Sequence, residues 1–223
     1  MIRAGVGYSH NISTAEATEQ AVTTAMSNAK IAKSDLVFVF ATVNYASEYQ
    51  QIFEGIKDIS GSDCLVGCRG MSVLTSAGEF EGQSTIAVLV VRSDQLSIHP
   101  LLETKNDIAS ISAIIDSHVS AKDNSLLTIF PDIRSDLPTQ LIQKTEEYQF
   151  NVPIVGAAAS GNPTTGQIHQ WCGEKMVEAS TSGALLTGSF HTEVGVAQGC
   201  QPFGKAAEIT RADGDKILEL NEI

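Results

Sequence analysis

The segment KSDLVFVFA (33–41) has a counterpart 89 residues later in KDNSLLTIF (122–130), and the same offset sets CLVGCRGMS (64–72) against PIVGAAASG (153–161), with Gly67 opposite Gly156. After an insertion of several residues, GEFEGQSTIAVLVV (78–91) corresponds to WCGEKMVEASTSGALLTG (171–188). A sequence that repeats itself at a fixed offset folds as stacked copies of one supersecondary unit, which makes the repeat the strongest constraint on architecture. One register is expected to serve both blocks. The units run from about 1–94 and 95–200 of a single domain spanning 1–223.

Within each unit, periodicity assigns the elements. Ile2 to Ser9 alternates like a short strand, and Ser13-Thr-Ala-Glu16 reads as a capping box that opens a helix with its apolar stripe at Ala17, Ala21, Val22, Ala25, Met26 and Ala29. LVFVFA (36–41) is apolar throughout, as in a strand buried on both faces. Tyr49, Ile52, Phe53 and Ile56 mark a second amphipathic helix, followed by strands CLVG, STIAVLVV (84–91) and LSIHPLL (96–102). The second unit repeats the order. Ile108, Ile111, Ile115 and Val119 lie on one helix, LLTIF is a strand, a helix runs from about Ser135 to Tyr148, and PIVG is a strand. Strand-like QIHQWC, GALLTGSF, EVGVAQGC and AAEITRA follow. Parallel strands with crossover helices, then antiparallel hairpins, predict a mixed α/β (α+β) fold. Its two pseudo-symmetric repeats pack mixed sheets together and carry their helices on the outside.

At 223 residues the chain buries roughly 70–75% of its unfolded surface and needs neither disulfides nor a structural metal. Its formal net charge of -12 repels phosphate backbones and anionic lipid, which argues against nucleic-acid partners. There is no run of eighteen apolar residues and no secretory h-region in MIRAGVGYSHNIS, so membrane insertion is not expected and the chain reads as cytoplasmic with reduced thiols.

The order DLVFVFAT, a helix, CLVGCRGMS, GEFEGQSTIAVLVV, IVGAAASGN, GCQPFG and EITRADGDKILELNEI resembles the FIST domain, a sensory input domain of bacterial signal transduction proteins. The resemblance covers nearly the whole chain. It implies recognition of a small molecule, with amino acids suggested for some members, and coupling to a histidine kinase, a cyclase or a chemoreceptor. It also implies that a family C-terminal domain, which usually begins after a pattern like KILELNEI, is absent from this chain. A branch of the family is described as binding haem and sensing nitric oxide. The resemblance carries no catalytic residues onto this sequence.

Ligands of such sheets bind where parallel strands end. Four loops qualify: 42–45, 68–72, 131–135 and 157–162. A cleft gathering them would present Asn44, Tyr45, Arg69, Gly70, Ser72, Asp132, Arg134, Ser160 and Asn162. An arginine fork for a carboxylate and an aspartate for an ammonium suit an amino acid or small carboxylate, with Arg69 and Asp132 as anchors. The plainer readings are a surface arginine and a helix cap.

The other candidates are weaker. Cys64, Cys68, Cys172 and Cys200 lack a C-x-x-C pair, so no metal site is expected. Arg69 and loop amides would favour a Cys68 thiolate, but its counterpart is Ala157 and no histidine adjoins either loop. Gly5 and Gly7 in GVGYS lack the lysine of a phosphate loop. Among His10, His99, His118, His169 and His191, only His169 beside Trp171 has the setting of an axial haem ligand. A small-molecule sensor is thus the leading reading, with a haem-based gas sensor and an enzyme using Cys68 or an acidic residue such as Glu79 as alternatives.

Overall fold

The computed structural model describes residues 1–104, 107–120, 123–147, 152–161, 167–196, 199 and 204–222. They form two units, Met1–Glu193 and Val194–Ile223.

In the first unit, strand β1 (Ile2–Ser9) leads into helix α1 (Thr14–Ala29). Ser13 accepts the Glu16 backbone N–H at 3.5 Å, one half of the expected capping box. The other half differs: the Glu16 carboxylate accepts from the Asn11 side-chain amide at 2.6 Å, and Asn11 Oδ1 takes the Ser13 N–H at 2.9 Å. The alanine-rich stripe of α1 lets the helix lie directly on β1. A Cβ on Gly5 or Gly7 would stand 2.3 or 2.1 Å from carbonyls of α1, so these glycines serve close packing.

Strand β2 (Leu36–Thr42), helix α2 (Tyr49–Ser60) and strand β3 (Leu65–Gly70) make a crossover unit with β2 and β3 parallel. A hairpin follows, β4 (Ser72–Thr75) and β5 (Gly78–Glu81), and then β6 (Ile86–Ser93). The next stretch contains β7 (Leu96–Glu103), α3 (Ile108–His118), β8 (Asn124–Pro131), α4 (Leu137–Thr145) and β9 (Ile154–Gly156). A second hairpin, β10 (His169–Cys172) and β11 (Lys175–Glu178), precedes β12 (Thr181–Gly188).

One sheet has the order β1-β6-β2-β3-β10-β11 and the other β7-β12-β8-β9. In both, the first three strands are antiparallel neighbours and the last of the four shared positions is parallel. The hairpin β10–β11 therefore extends the first sheet, by antiparallel pairing of β10 with β3. Three apolar clusters define the layers. One packs α1 and α2 on the outer face of the six-stranded sheet, a second packs α3 and α4 on the four-stranded sheet, and the third lies between the sheets, from Leu36, Phe38, Val66 and Cys68 to Phe130, Ala184 and Leu186. The fold is mixed α+β, with helices outside two packed sheets.

Three details depart from expectation. The residues aligned by one offset do not occupy equivalent ladder positions: Gly67 faces Val39, whereas Gly156 faces Ile129, one residue further along. Residues 78–81, ahead of the strand expected at 84–91, form a strand of their own, β5. No strand forms at 193–196, where Val194 and Val196 are exposed without ladder partners; residues 197, 198 and 200 of that expected strand lie outside the described residues.

The second unit contains the hairpin β13 (Ile209–Asp213) and β14 (Lys216–Leu220), turned at Gly214, whose φ of 55° suits glycine.

Candidate functional site

Strand β3 is longer than the CLVG run suggests, and its extra residues decide where the side chains go. Val66 and Cys68 face the space between the sheets, while Leu65 packs under the helices. Alternation sends Arg69 to the helix side. Its electrostatic neighbours there are Tyr49 of α2 and His169, the residue just before the last β3–β10 pair of Gln170 with Cys68; the Tyr49 and His169 rings are 6.1 Å apart. Arg69 is 2% exposed, and its Nη1 donates to the Gln167 carbonyl at 2.8 Å. Nε and Nη2 have no partner.

The carboxyl ends of β3 and β9 meet in a groove of about 420 Å3. Arg69, Gly70, Ser72 and Ser160 all line it, so four of the nine expected residues are brought together. Two hydrogen bonds fasten its walls: Ser160 N–H to the Arg69 carbonyl at 3.1 Å, and Met71 N–H to Ser160 Oγ at 3.0 Å. Phe40, Cys68, Val73, Leu74, Ala157 and Ala158 supply an apolar lining. The hairpin β4–β5 closes one side, where Ser72 Oγ donates to Glu79 Oε1 at 3.0 Å. The back of this hairpin is held by Phe80, whose ring lies 4.1 Å from that of His10 and 5.4 Å from that of Tyr8. Phe40, Val73, Leu74 and Glu79 belong to the groove but not to the expected set. The turn signal Ser76-Ala-Gly78 between two short runs, which the strand assignment from sequence passed over, marks the hairpin that brings the last three there.

The remaining expected residues lie elsewhere. Tyr45 is in the helix-side core and donates from its hydroxyl to the Asn11 carbonyl; Asn44 beside it is exposed. Asp132 is buried, but its carboxylate is filled by Arg134, whose Nε and Nη2 donate to its two oxygens at 2.8 and 2.7 Å. The Arg134 backbone N–H adds a third bond at 2.9 Å. These hydrogen bonds hold the Asp132 carboxyl below the usual carboxylate range. An aspartate so saturated has no free edge for an ammonium group, which corrects its expected role. Asn162 lies outside the described residues.

Burial pushes the Cys68 thiol up to about 12, so at neutral pH it is a thiol in an apolar wall, which speaks against the alternative of a Cys68 nucleophile. Cys64 is likewise pushed up, to about 11. His169 Nε2 is 3.3 Å from Glu178, and burial, opposed by Glu178 and reinforced by Arg69, holds this histidine below its ordinary value. The rings of His99 and His118 meet at a tilt of 38° with centroids 3.8 Å apart. Among the described residues, no group of three metal-ligating side chains converges, and no helix is long and apolar enough to cross a membrane.

A family model for the FIST N domain matches residues 35–223 of the chain. No curated protein matches it. Among solved structures, the crystal structure of cyanuric acid hydrolase from A. caulinodans is similar with a TM-score of 0.43 and 11% identity, over 84% of this chain and 71% of that one.

Proposed function

The chain belongs to the FIST N domain family, a family of sensory domains, and on that premise we propose that it binds a small molecule in the groove at the ends of β3 and β9. The observation that carries this reading is the meeting of Gly70, Ser72 and Ser160 with an apolar wall in one concave site. Such a combination, mostly apolar with a few fixed polar groups, is what small ligands require. The ligand class that fits is an amino acid. Glu79, fixed by Ser72, offers a carboxylate to its ammonium group, and Phe40, Val73, Leu74, Ala157 and Ala158 receive an apolar side chain. An output through a kinase, cyclase or chemoreceptor is supported by family membership alone.

A thermal-shift and calorimetric screen of the amino acids tests this reading. Apolar amino acids are expected to raise the melting temperature in a saturable way, and Glu79→Gln to weaken their binding about tenfold or more. Equal binding by Glu79→Gln and wild type removes the ammonium assignment.

A further inference from the structure

Arg69 is a cation in the interior without an anion. At 2% exposure it has one hydrogen bond, from Nη1 to the Gln167 carbonyl, while Nε and Nη2 are sealed from solvent and unpaired. Among the described residues no carboxylate lies within ion-pair distance of it. Buried charges are otherwise paired, because an uncompensated one costs several kcal/mol. The unused Nε–Nη2 edge is the planar fork that fits a carboxylate with two parallel hydrogen bonds. The same molecule shows that fit: Arg134 uses this very edge to hold Asp132.

A second orphan lies beside it. His169, the neighbour of Arg69 on β10, has its Nε2 directed at Glu178 and its Nδ1 buried without a partner. Tyr49, which covers the pair from α2, spends its hydroxyl on the Thr42 carbonyl at 3.3 Å.

We propose that Arg69 and His169 form an internal anion site on the helix side of the six-stranded sheet, which takes a small carboxylate through Arg69 Nε and Nη2 with His169 Nδ1 as a further donor. Depth restricts the occupant to a free small anion, since a side chain of another protein cannot reach it. With Nε2 donating to Glu178, Nδ1 donates only in the imidazolium. Neutralising Arg69 favours that form, so binding takes up a proton. The charged or titratable groups facing His169 are Tyr49 from α2, Arg69 from β3 and Glu178 from β11.

The probe is sodium acetate against sodium chloride at equal ionic strength, read as melting temperature of the full chain. Acetate is expected to give a saturable extra rise of about 2–5 °C at pH 7, larger at pH 6 than at pH 8. Arg69→Met abolishes it and melts no lower than wild type in chloride; Arg69→Lys, should the methionine variant not fold, weakens it at least about tenfold. His169→Gln keeps a response but loses its pH dependence. Ala158→Trp, which fills the groove from an exposed position, leaves the response intact, which separates this site from the groove. Equal effects of acetate and chloride on wild type, or an undiminished response in the Arg69 variants, overturn the site. A pH dependence that survives in His169→Gln overturns the second donor.

Discussion

Trp171 lies over Gly67: its indole Nε1 is 2.7 Å from where a Cβ on Gly67 would be, and it donates to the Val39 carbonyl at 3.1 Å. The fully buried indole thereby joins β10 to the parallel pair β2–β3 and carries the hairpin that extends the first sheet. Phe53 and Tyr49 pack against it from α2, each with ring centroids 5.3 Å away.

Gly67→Ala is therefore expected to lose about 2–4 kcal/mol, since its methyl meets both the indole and the Val39 backbone, neither of which can yield cheaply. Urea unfolding should show a lower midpoint with little change in slope. An unchanged midpoint contradicts this packing.

How much of this was legible in the sequence depended on the kind of force involved. The apolar stripe of α1 and the unbroken run of β2 announced themselves because burial dictates residue type at nearly every position. The β4–β5 hairpin escaped because Ser72–Thr75 and Gly78–Glu81 are short and half exposed, so their alternation was lost inside a longer matched block. Arg69 was picked out for its chemistry and does line the groove with Gly70, Ser72 and Ser160, but alternation along β3 turns its side chain toward the helices. CLVG ends at Gly67, whereas the β3 ladder continues to Gly70, and only ladder length fixes which face a side chain takes. The Asp132–Arg134 fork lay between two residues both named as ligand contacts; a pair that satisfies itself cannot be told from two free groups by residue type. His169 was noted for its neighbour Trp171, yet its relation to Arg69 depends on β10 pairing with β3, a long-range contact that periodicity does not contain.

Cys68 should be inert. Its thiol is buried in the wall between the sheets and held protonated at neutral pH. A thiol-disulfide reagent at pH 7.5 is expected to modify it only after unfolding, with peptide mapping as the readout. Rapid modification in the native protein would revive nucleophilic chemistry at this residue.

Acidification should destabilise the fold through His169. Its folded-state value lies below the ordinary 6.5, chiefly because of burial and further because of Arg69. The unfolded chain thus binds the proton more readily, and the stability this contributes is full above about pH 6.5 and is lost as pH falls through the lowered value. Chemical denaturation in chloride buffer from pH 8 to pH 5 should show this decline, and His169→Gln should flatten part of it. An identical pH profile for the two proteins rules out His169 as a source.

Arg134→Ala removes the side-chain fork from the buried Asp132 carboxylate and leaves it the backbone N–H of residue 134. Because Arg134 is itself largely exposed, the expected loss at pH 7 is a small fall in the denaturation midpoint. Asp132 is lowered from 3.8 mainly by the Arg134 side chain, so the pair's contribution is present above about pH 3.8 and disappears as pH falls through the lowered value. Wild type and variant should converge in acid; a gap that persists there means the ion pair is not its cause.

The central claim is that the groove between the ends of β3 and β9 is where a small molecule binds. Backbone amide shifts of isotopically labelled protein, recorded while an apolar amino acid selected by the thermal screen is added, test it most directly. The account predicts saturable shifts at Gly70, Ser72, Val73, Glu79 and Ser160, with Asn44 and the Asp132–Arg134 turn unmoved. Saturable shifts centred on any other surface, with those five amides unchanged, would contradict it.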